Sequence, residues 1–241
     1  TDDVINAAEK GADLTLSGTT TNVEPGQTVT VTFGGKNYTA SVASDGSWTA
    51  TVPAADLASL PEGSASAQAS VSNINGNSAS AVHNYSIDSS APTIIINTVA
   101  SDNIVNASEA DAGVTVSGST TAEAGQIVTV TLNSPTVQTY QATVQADGSW
   151  SINIPAADLE ALTDGSHTLT ATVSDLAGNP GSASKGVTVD TTAPVISFNT
   201  VAGDDILNNA EQAVAQIISG QVSGASPGDT VTVKLGTHVL T

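Results

Sequence analysis

Residues 101–109 read SDNIVNASE, and near copies of this string lie on each side, TDDVINAAE at 1–9 and GDDILNNAE at 203–211. A string that recurs about every hundred residues indicates tandem copies of one small domain. Each copy also brings a small acidic cluster to the same place in the repeat. The recurring acids suggest a cation, and the recurrence itself suggests a molecule built for length.

The second copy contains a full set of strand signals. Short β-branched or alternating runs at 93–96, 114–117, 127–132, 140–144, 150–154, 169–173 and 183–189 are separated by Gly, Pro, Asn and Asp. About seven short strands with turn residues between them are typical of an immunoglobulin-like β-sandwich. The sequence therefore predicts an all-β fold of tandem immunoglobulin-like β-sandwich domains, arranged as a linear rod.

The first copy matches the second motif by motif. DGSW occurs at 45–48 and 147–150, PAADL occurs at 53–57 and 155–159, and NINGN at 73–77 stands where DLAGN stands at 175–179. The copies differ in length mainly at the loop after Phe33 and Leu132, as a surface loop tolerates.

These matches predict three domains. Residues 1–88 form a repeat whose first strand is missing, residues 89–190 form a complete repeat, and residues 191–241 form a partial repeat. Half a sandwich cannot bury both of its sheets. We therefore expect the chain to be a slice of a longer array.

The charge of the chain restricts its partners. It carries 23 Asp and Glu against 4 Lys and no Arg, a net charge of −19. Nucleic-acid affinity depends on Lys and Arg, so nucleic acid is not an expected partner. No apolar run has the length of a membrane helix, so membrane insertion is not expected either. The absence of Cys rules out disulfides and leaves a bound metal ion as the natural stiffening element.

Several motifs admit both a structural and a functional interpretation. Trp48 and Trp150 share one repeat position, which favours a core anchor over stacking on carbohydrate. Each PAADL segment predicts a short helical turn, with Asp56 and Asp158 near its positive end as capping groups and, as a lesser alternative, as cation ligands.

No catalytic constellation is evident. His83, His167 and His238 fall at unrelated repeat positions without Cys, Ser or a second His at a useful spacing. The acids recur in the loops of every copy, and one active site per hundred residues would be unusual for a glycosidase pair. We therefore expect no enzyme activity.

Strand order places the acidic strings at the joints between copies. In a seven-stranded sandwich the string and the last strand reach the same pole, so Asp88 should approach Asp2 and Asp3. The turn 175–179 of the second copy should face that pole from below. Oxygen ligands in flexible loops suit Ca²⁺. The predicted ligands over the whole chain are Asp2, Asp3, Asp88, Asp102, Asn103, Asp175, Asn179, Asp190, Asp204 and Asp205.

The strings at 2–9, 102–109 and 204–211, with DGSW, PAADL, SDLAGN and VDTTAP, resemble the bacterial Ig-like repeats of giant, type I-secreted non-fimbrial adhesins. That resemblance implies a secreted protein at the bacterial cell surface, whose array extends a binding tip to host cells while Ca²⁺ stiffens its joints. The implied partners are calcium ions, neighbouring repeats of the same chain and, through the parent protein, host-cell glycans. In the first copy Asn73 replaces Asp175, which weakens the site expected there.

Two other functions remain open at this point. One is a glycan-binding Ig-like module, and the other is a repeat of a biofilm-matrix adhesin. Few aromatic residues are present to stack on sugars, which counts against the former.

Overall fold

A computed structural model describes residues 2–133 and 137–240. Strands account for 48% of the structure and helices for 9%, so the predicted all-β class is confirmed. The longer loop predicted after Leu132 falls on residues 134–136, outside the described residues. Within the described part, no helix has the length and apolar character of a membrane span.

We call residues 2–88 unit 1. Its strands are β1 Val4–Ile5, β2 Leu14–Thr19, β3 Thr28–Phe33, β4 Lys36–Ser41, β5 Ser47–Val52, β6 Gly63–Ser72 and β7 Ser78–Ile87, with two short helices, α1 Ala7–Lys10 and α2 Ala54–Leu57. One sheet has the order β1-β7-β6-β3-β4, and the other pairs β2 with β5. All of these pairs are antiparallel except β1 with β7, which is parallel.

We call residues 89–190 unit 2. Its strands are β8 Ile94–Ile96, β9 Ile104–Asn106, β10 Val114–Thr120, β11 Ile127–Asn133, β12 Gln138–Thr143, β13 Ser149–Ile154, β14 Gly165–Ser174 and β15 Pro180–Asp190, with helices α3 Ala107–Ala112 and α4 Ala156–Glu160. The sheets have the orders β12-β11-β14-β15-β9 and β13-β10-β8. Unit 2 thus repeats the plan of unit 1 and adds β8 at the edge of β10.

We call residues 191–240 segment 3. It contains β16 Val195–Phe198, a single 3-10 turn at Glu211–Ala213, β17 Gly220–Ser223, β18 Val233–Leu235 and β19 His238–Leu240. These strands form two separate antiparallel pairs, β16 with β17 and β18 with β19. Apolar side chains remain exposed here, including Phe198 and Ile217.

The core of unit 2 is one continuous cluster between its sheets, with Trp150 among its fully buried members. The core of unit 1 is divided into two smaller clusters, and Trp48 is only half-buried beside one of them. Trp150 is therefore the core anchor that the sequence predicted. Trp48 occupies the same position in unit 1 but remains partly exposed to solvent. In unit 2, β8 pairs with the edge of β10 beside Trp150, whereas within the described residues β2 of unit 1 pairs only with β5.

A candidate joint between unit 1 and unit 2

Each acidic string leads into a strand that pairs with the last strand of its own unit. Val4 lies beside Ser86 and Ile5 beside Ile87 in unit 1, in parallel register. The string of unit 2 does the same, with Asn106 beside Asp190. The end of each string therefore lies beside the closing Asp of its unit, but this pairing does not bring Asp2 and Asp3 to Asp88, because the Asp3 carbonyl accepts from the Ser86 N–H further back along β7.

The end of each string also starts a helix, which the sequence analysis did not anticipate. The Asn6 side chain accepts from the backbone N–H of Glu9, and the Glu9 carboxylate accepts from the N–H of Asn6. Asn106 and Glu109 form the same reciprocal cap on α3. The spacing of Asn and Glu in the repeated string was the signal that could have predicted it.

Asn179 connects unit 2 to unit 1. Its Oδ1 accepts from the backbone N–H of Ala7 at 2.8 Å, and its Nδ2 donates to the backbone carbonyl of Asp88 at 2.8 Å. The same Nδ2 donates to Asp175 Oδ2 at 3.0 Å. Asn179 is 1% exposed, so one buried amide links the start of α1, the end of β7 and its own turn.

A second hydrogen bond between the two units lies next to the first. Asn6 Nδ2 donates to the backbone carbonyl of Ala177 at 3.0 Å. Gly178, between Ala177 and Asn179, has φ +87, a left-handed conformation that glycine adopts without strain. The turn 175–179 therefore faces the preceding unit as the strand order predicted.

Asp175 shapes this turn from within. Its Oδ1 accepts from the backbone N–H of Asn179 at 2.8 Å, and its side chain is buried with the residue 8% exposed. In unit 1, Asn73 accepts from the N–H groups of Asn75 and Asn77 in the same way. An uncharged side chain thus suffices to form the turn, and the charge at Asp175 needs another reason.

The remaining predicted ligands of this joint, Asp3, Asp2 and Asp88, are hydrogen-bonded to residues of unit 1 or of the linker. Asp3 Oδ1 lies 2.7 Å from His83 Nε2, and Asp3 has a left-handed φ of 61. The Asp2 carboxylate accepts from the N–H of Val4, and this backbone hydrogen bond lowers the pKa of Asp2. Asp88 Oδ1 accepts from the N–H of Ser90 at 3.2 Å, while its main-chain oxygen meets Asn179.

The predicted ligands of the second and third strings are arranged in local turns. Asn103 Oδ1 accepts from Val99 N–H at 3.0 Å, and Asp205 Oδ1 accepts from Val201 N–H at 2.8 Å. Asp102 and Asp204 each cap the N–H two residues on, at Ile104 and Ile206. Asp190 lies at the end of β15 beside Asn106. The second and third strings therefore build the same turn.

Two acids that the sequence analysis missed anchor the linkers. The Asp164 carboxylate accepts from the Thr191 N–H and hydroxyl, each at 2.9 Å, and from the Thr192 hydroxyl. Glu62 holds Ser89 in the same way and also pairs with Lys10. The hydroxyl bond from Thr192 and the backbone bond from Thr191 lower the pKa of Asp164, and those from Ser89 lower the pKa of Glu62. Each of these acids directly precedes a glycine, in PEG at 61–63 and TDG at 163–165, and this shared position was the signal that the sequence offered.

The helical turns predicted for PAADL are present, but their acids do not cap them. The Asp56 carboxylate accepts from the Tyr38 hydroxyl at 2.8 Å and from Lys36 Nζ at 2.5 Å. The Asp158 carboxylate accepts from the Tyr140 hydroxyl at 2.6 Å. The capping interpretation is therefore wrong, because each acid turns outward from its helix to a neighbouring strand.

The donor set at the joint matches a hard cation in type. It consists of oxygens, from the Asp175 carboxylate, the Asn179 amide and the Asp88 main chain, and Ca²⁺ takes such ligands. No salt bridge reaches the buried Asp175 carboxylate within the described residues. Nor do three acidic or histidine side chains converge anywhere in that part of the chain. Carbonyl, amide and water oxygens would therefore have to complete a coordination shell.

Comparisons with known proteins agree with this architecture. The model of the bacterial Ig-like domain family matches residues 90–191. No curated protein sequence matches the chain significantly.

Two solved structures from large adhesins are similar over nearly the whole chain. One is a Ca²⁺-stabilized adhesin that helps an Antarctic bacterium reach out and bind ice; it is 34% identical, with a TM-score of 0.53 over 99% of this chain and 60% of that one. The other concerns host cell surface retention of a 1.5-MDa bacterial ice-binding adhesin; it is also 34% identical, with a TM-score of 0.51 over 99% of this chain and 78% of that one. The chain thus spans about three fifths of the first structure.

The motifs had suggested a specific likeness to the giant non-fimbrial adhesin of Salmonella, and these comparisons do not support that choice. What they support is the broader group. The chain belongs to the bacterial Ig-like domain family and is related to the repeats of large bacterial adhesins.

Proposed function

We propose that this chain is a calcium-stiffened spacer of a giant bacterial surface adhesin, which extends a distal binding tip toward a host cell. The parent protein is secreted by type I export, and the chain then lies at the bacterial cell surface. The observation that carries the proposal is the buried joint at Asn179, because a spacer transmits direction only where consecutive units are fixed to each other.

The charge of Asp175 is the reason for including calcium in the proposal. Asn73 makes the same turn in unit 1 without a charge, so the buried carboxylate of Asp175 is not required for the turn. A buried carboxylate with hydrogen bonds but without an opposite charge is costly. A cation bound by this carboxylate, with the Asp88 and Asn179 oxygens as further ligands, removes that cost. The related ice-binding adhesin is Ca²⁺-stabilized, which is consistent with such a site.

The other predicted ligands extend the proposal to the remaining strings. Asp2, Asp3, Asp102, Asn103, Asp190, Asp204 and Asp205 would supply oxygens to ions at this joint or at the joint that follows unit 2. Neighbouring repeats are then the main protein partners. Host-cell glycans contact the parent protein at its tip and not this chain.

The Asp175→Asn variant tests the role of calcium. Since Asn at this position keeps the turn, the substitution removes the charge with little change of shape. We expect Ca²⁺ to raise the melting temperature of the wild-type chain relative to EDTA, because a ligand of the folded form stabilises it by mass action. In Asp175→Asn the rise should be much smaller, because the charged ligand is gone.

Asp147→Asn is the matched control, since Asp147 caps an exposed turn within unit 2 away from the joint. Small-angle scattering with and without Ca²⁺ gives a second readout, because loss of the ion should shorten the mean end-to-end distance. Equal melting temperatures in Ca²⁺ and EDTA, together with unchanged scattering, would remove calcium from the proposal.

Glycan binding by the chain itself is the weaker candidate. Sugar recognition commonly uses exposed aromatic faces, but Trp150 lies in the core and Trp48 is half-buried between the sheets. No specific contact favours the biofilm-matrix alternative over a host-directed adhesin, so the spacer role covers both.

A further inference from the structure

A lysine contacts the linker between units 1 and 2, which consists of residues 89–92. Lys10, the last residue of α1, donates from its Nζ to Glu62 Oε1 at 3.2 Å and to the Ser89 hydroxyl oxygen at 3.3 Å. Ser89 opens the linker and directly follows Asp88. The Lys10 side chain is only 17% exposed, so most of its stem is covered. Lys10 therefore ties the end of α1 to the start of the linker.

The two unit 1 partners of Asn179 lie on either side of this tie. Ala7, whose N–H donates to Asn179, is the first residue of α1. Asp88, whose carbonyl accepts from Asn179, precedes Ser89 in the chain. The contacts close a ring, whose members in order are Asn179, Ala7, Lys10, Ser89 and Asp88. Members of one such network are energetically coupled, so loss of one contact loosens the others.

Glu62 holds the linker side of this ring. Its carboxylate accepts from the Ser89 N–H at 2.8 Å and from the Ser89 hydroxyl. Lys10 pairs with the same carboxylate and donates to the same hydroxyl oxygen. The ammonium group therefore acts on both partners of the Glu62–Ser89 contact.

Unit 2 fastens the linker that follows it without a cation. Asp164 accepts from the N–H and hydroxyl of Thr191 and from the hydroxyl of Thr192. When the repeated strings are aligned, the residue that corresponds to Lys10 is Ala110, which is buried in the core of unit 2. A carboxylate thus holds a linker hydroxyl without help from a lysine. The ammonium of Lys10 has a different effect, which is to connect this contact to α1.

We propose that Lys10 is a positioning residue of the joint, which holds α1 and the linker in the arrangement that Asn179 binds. The inference rests on the proposed function, since a fixed joint matters in a spacer. In that joint calcium compensates the Asp175 carboxylate of unit 2, whereas Lys10 compensates Glu62 of unit 1. The joint therefore keeps part of its stiffness without calcium. The Glu62 side chain is 46% exposed, so salt screens its pair with Lys10 and weakens this part.

The Lys10→Met variant tests the role, because it keeps most of the stem and removes the ammonium group. Hydrogen exchange of single amides is measured by NMR on the full chain, in EDTA at low salt and relative to intrinsic rates. Protection of the Ala7 and Ser89 amides should fall about threefold, as for loss of a partly exposed ion pair. The Ala12 amide, which donates to the Glu9 carbonyl at the end of α1, should keep its protection.

Two further variants separate the charge of Lys10 from its shape and from charge elsewhere in unit 1. Lys10→Arg keeps the charge and the donors, so it should restore most of the protection. Lys36→Met removes an ion pair with Asp56 that has no contact with the linker, and it should leave both amides unchanged. In about 1 M NaCl the wild type should exchange like Lys10→Met, while the variant itself changes little.

A double variant shows whether Lys10 acts through Asn179. Once Asn179→Ala has removed the acceptor of the Ala7 N–H, adding Lys10→Met should not lower Ala7 protection further. An additive loss at Ala7, or an equal loss at Ala12 in Lys10→Met, would show that Lys10 only stabilises α1. Either result would overturn the positioning role.

Failure of this inference can be told apart from failure of the proposed function. If the Ala7 and Ser89 amides are protected in the wild type and equally protected in Lys10→Met, the role of Lys10 is wrong and the spacer stands. If the wild-type Ala7 amide is unprotected in both Ca²⁺ and EDTA, the fixed joint is wrong, and both proposals fall. Threefold loss in Lys10→Met with rescue by Lys10→Arg supports the role.

Discussion

At the scale of single residues, Asn179 does the most to join the two units. Its amide meets three partners, the Ala7 N–H, the Asp88 carbonyl and the Asp175 carboxylate, and it is almost fully buried. Only a side chain with both a donor and an acceptor at its end can satisfy the first two together. An Asp at this position could accept from Ala7 but could not donate to Asp88.

We expect Asn179→Ala to open the joint while unit 2 remains folded. Leaving buried partners without hydrogen bonds costs about 2 kcal/mol, which corresponds to roughly thirtyfold faster hydrogen exchange at the Ala7 amide. Exchange measured by NMR on that single amide is the direct readout.

Asn77→Ala is the control, since Asn77 occupies the same turn position in unit 1 and its side chain is exposed. Ala7 exchange should be unchanged in it. Equal protection of Ala7 in wild type and Asn179→Ala would contradict the role assigned to the joint.

The tyrosines provide a second residue-level test. Burial, followed by the Asp56 hydrogen bond and charge, raises the pKa of Tyr38 to about 12. Burial also raises the pKa of Tyr85, and burial with Asp158 raises the pKa of Tyr140. A raised pKa means that the folded form prefers the neutral phenol. This stabilisation is complete below about pH 10 and is lost as the pH rises through the folded values.

We expect little phenolate absorbance at 295 nm from the folded chain at pH 10, where the urea-unfolded chain is about half ionised. In Asp56→Asn the titration of Tyr38 should move toward lower pH, because the neighbouring charge is gone. Asp111→Asn, at an exposed helical position, should leave the curve unchanged. A folded chain that titrates like the unfolded one would contradict this.

Residue roles were the hardest to predict from the sequence. The turn at 175–179 and its approach to the preceding unit followed from motif spacing and strand order. The Tyr–Asp pairs did not, because Tyr38 and Asp56 are 18 residues apart and meet only through the packing of β4 against α2. The same limit applies to Asp164, whose partners lie 27 and 28 residues further on.

At the scale of elements, the linkers are held by side chains as well as by proline. Asp164 fastens Thr191 and Thr192 to the loop before β14. We expect Asp164→Ala to increase amide exchange at Thr191, with little change in the melting temperature of unit 2, because the site is exposed.

The pH dependence of this linker contact has a definite sign. The pKa of Asp164 is lowered in the folded chain, so the contact is complete above the ordinary carboxyl pKa and is lost as the pH falls through the lower folded value. The protection of the Thr191 amide, measured relative to its intrinsic exchange rate at each pH, should therefore fall in acid in the wild type. Asp111→Ala serves as the control substitution, and an unaltered Thr191 amide in Asp164→Ala would refute the contact.

Two glycine-to-alanine substitutions test how tightly β8 and Trp150 pack against the edge of β10. A Cβ on Gly118 would lie 1.9 Å from the Ile95 oxygen and 2.5 Å from Trp150. Gly118→Ala should therefore destabilise unit 2 by about 3 kcal/mol, because either β8 or Trp150 must move. On Gly186 an added Cβ meets nothing within 4 Å, so Gly186→Ala should leave stability unchanged or raise it by up to about 1 kcal/mol. Urea unfolding of both variants measures the difference, and similar midpoints would contradict the packing of β8.

Strands were predictable from the sequence, and the short helices were only partly so. β-branched runs between Gly, Pro and Asx residues marked β10, β11 and β13 to within a few residues. α3 was missed because it begins at the end of the same string whose residues Asp102 and Asn103 suggested a metal site. The capping pattern and the ligand pattern use the same residue types, and spacing alone did not separate them.

At the scale of the whole molecule, units 1 and 2 differ in the continuity of their cores. Unit 2 has one continuous core, whereas unit 1 has two clusters and an open groove. Since stability depends mainly on buried apolar area, unit 1 should unfold first. Hydrogen exchange with mass spectrometry on heating should show residues 28–52 exchanging at a lower temperature than residues 127–154. The reverse order would contradict the comparison of the cores.

The tandem organisation itself was readable from the period of the acidic strings. What the period could not reveal is that the link between units 1 and 2 is a hydrogen-bonded amide. The motifs indicated carboxylates and therefore charge. The contact is made by Asn6 and Asn179, whose geometry appears only once the fold brings α1 and the turn together.

The parallel pairing of β9 with β15 has a mechanical consequence. When the chain is pulled from its two ends, β9 and β15 are drawn in opposite directions along their own axes. The backbone hydrogen bonds from Thr188 to Asp190 are then loaded in shear and must break together, whereas a hairpin pulled open breaks one bond at a time. Each unit of this kind therefore resists sudden tension along the chain and gives way in one discrete step.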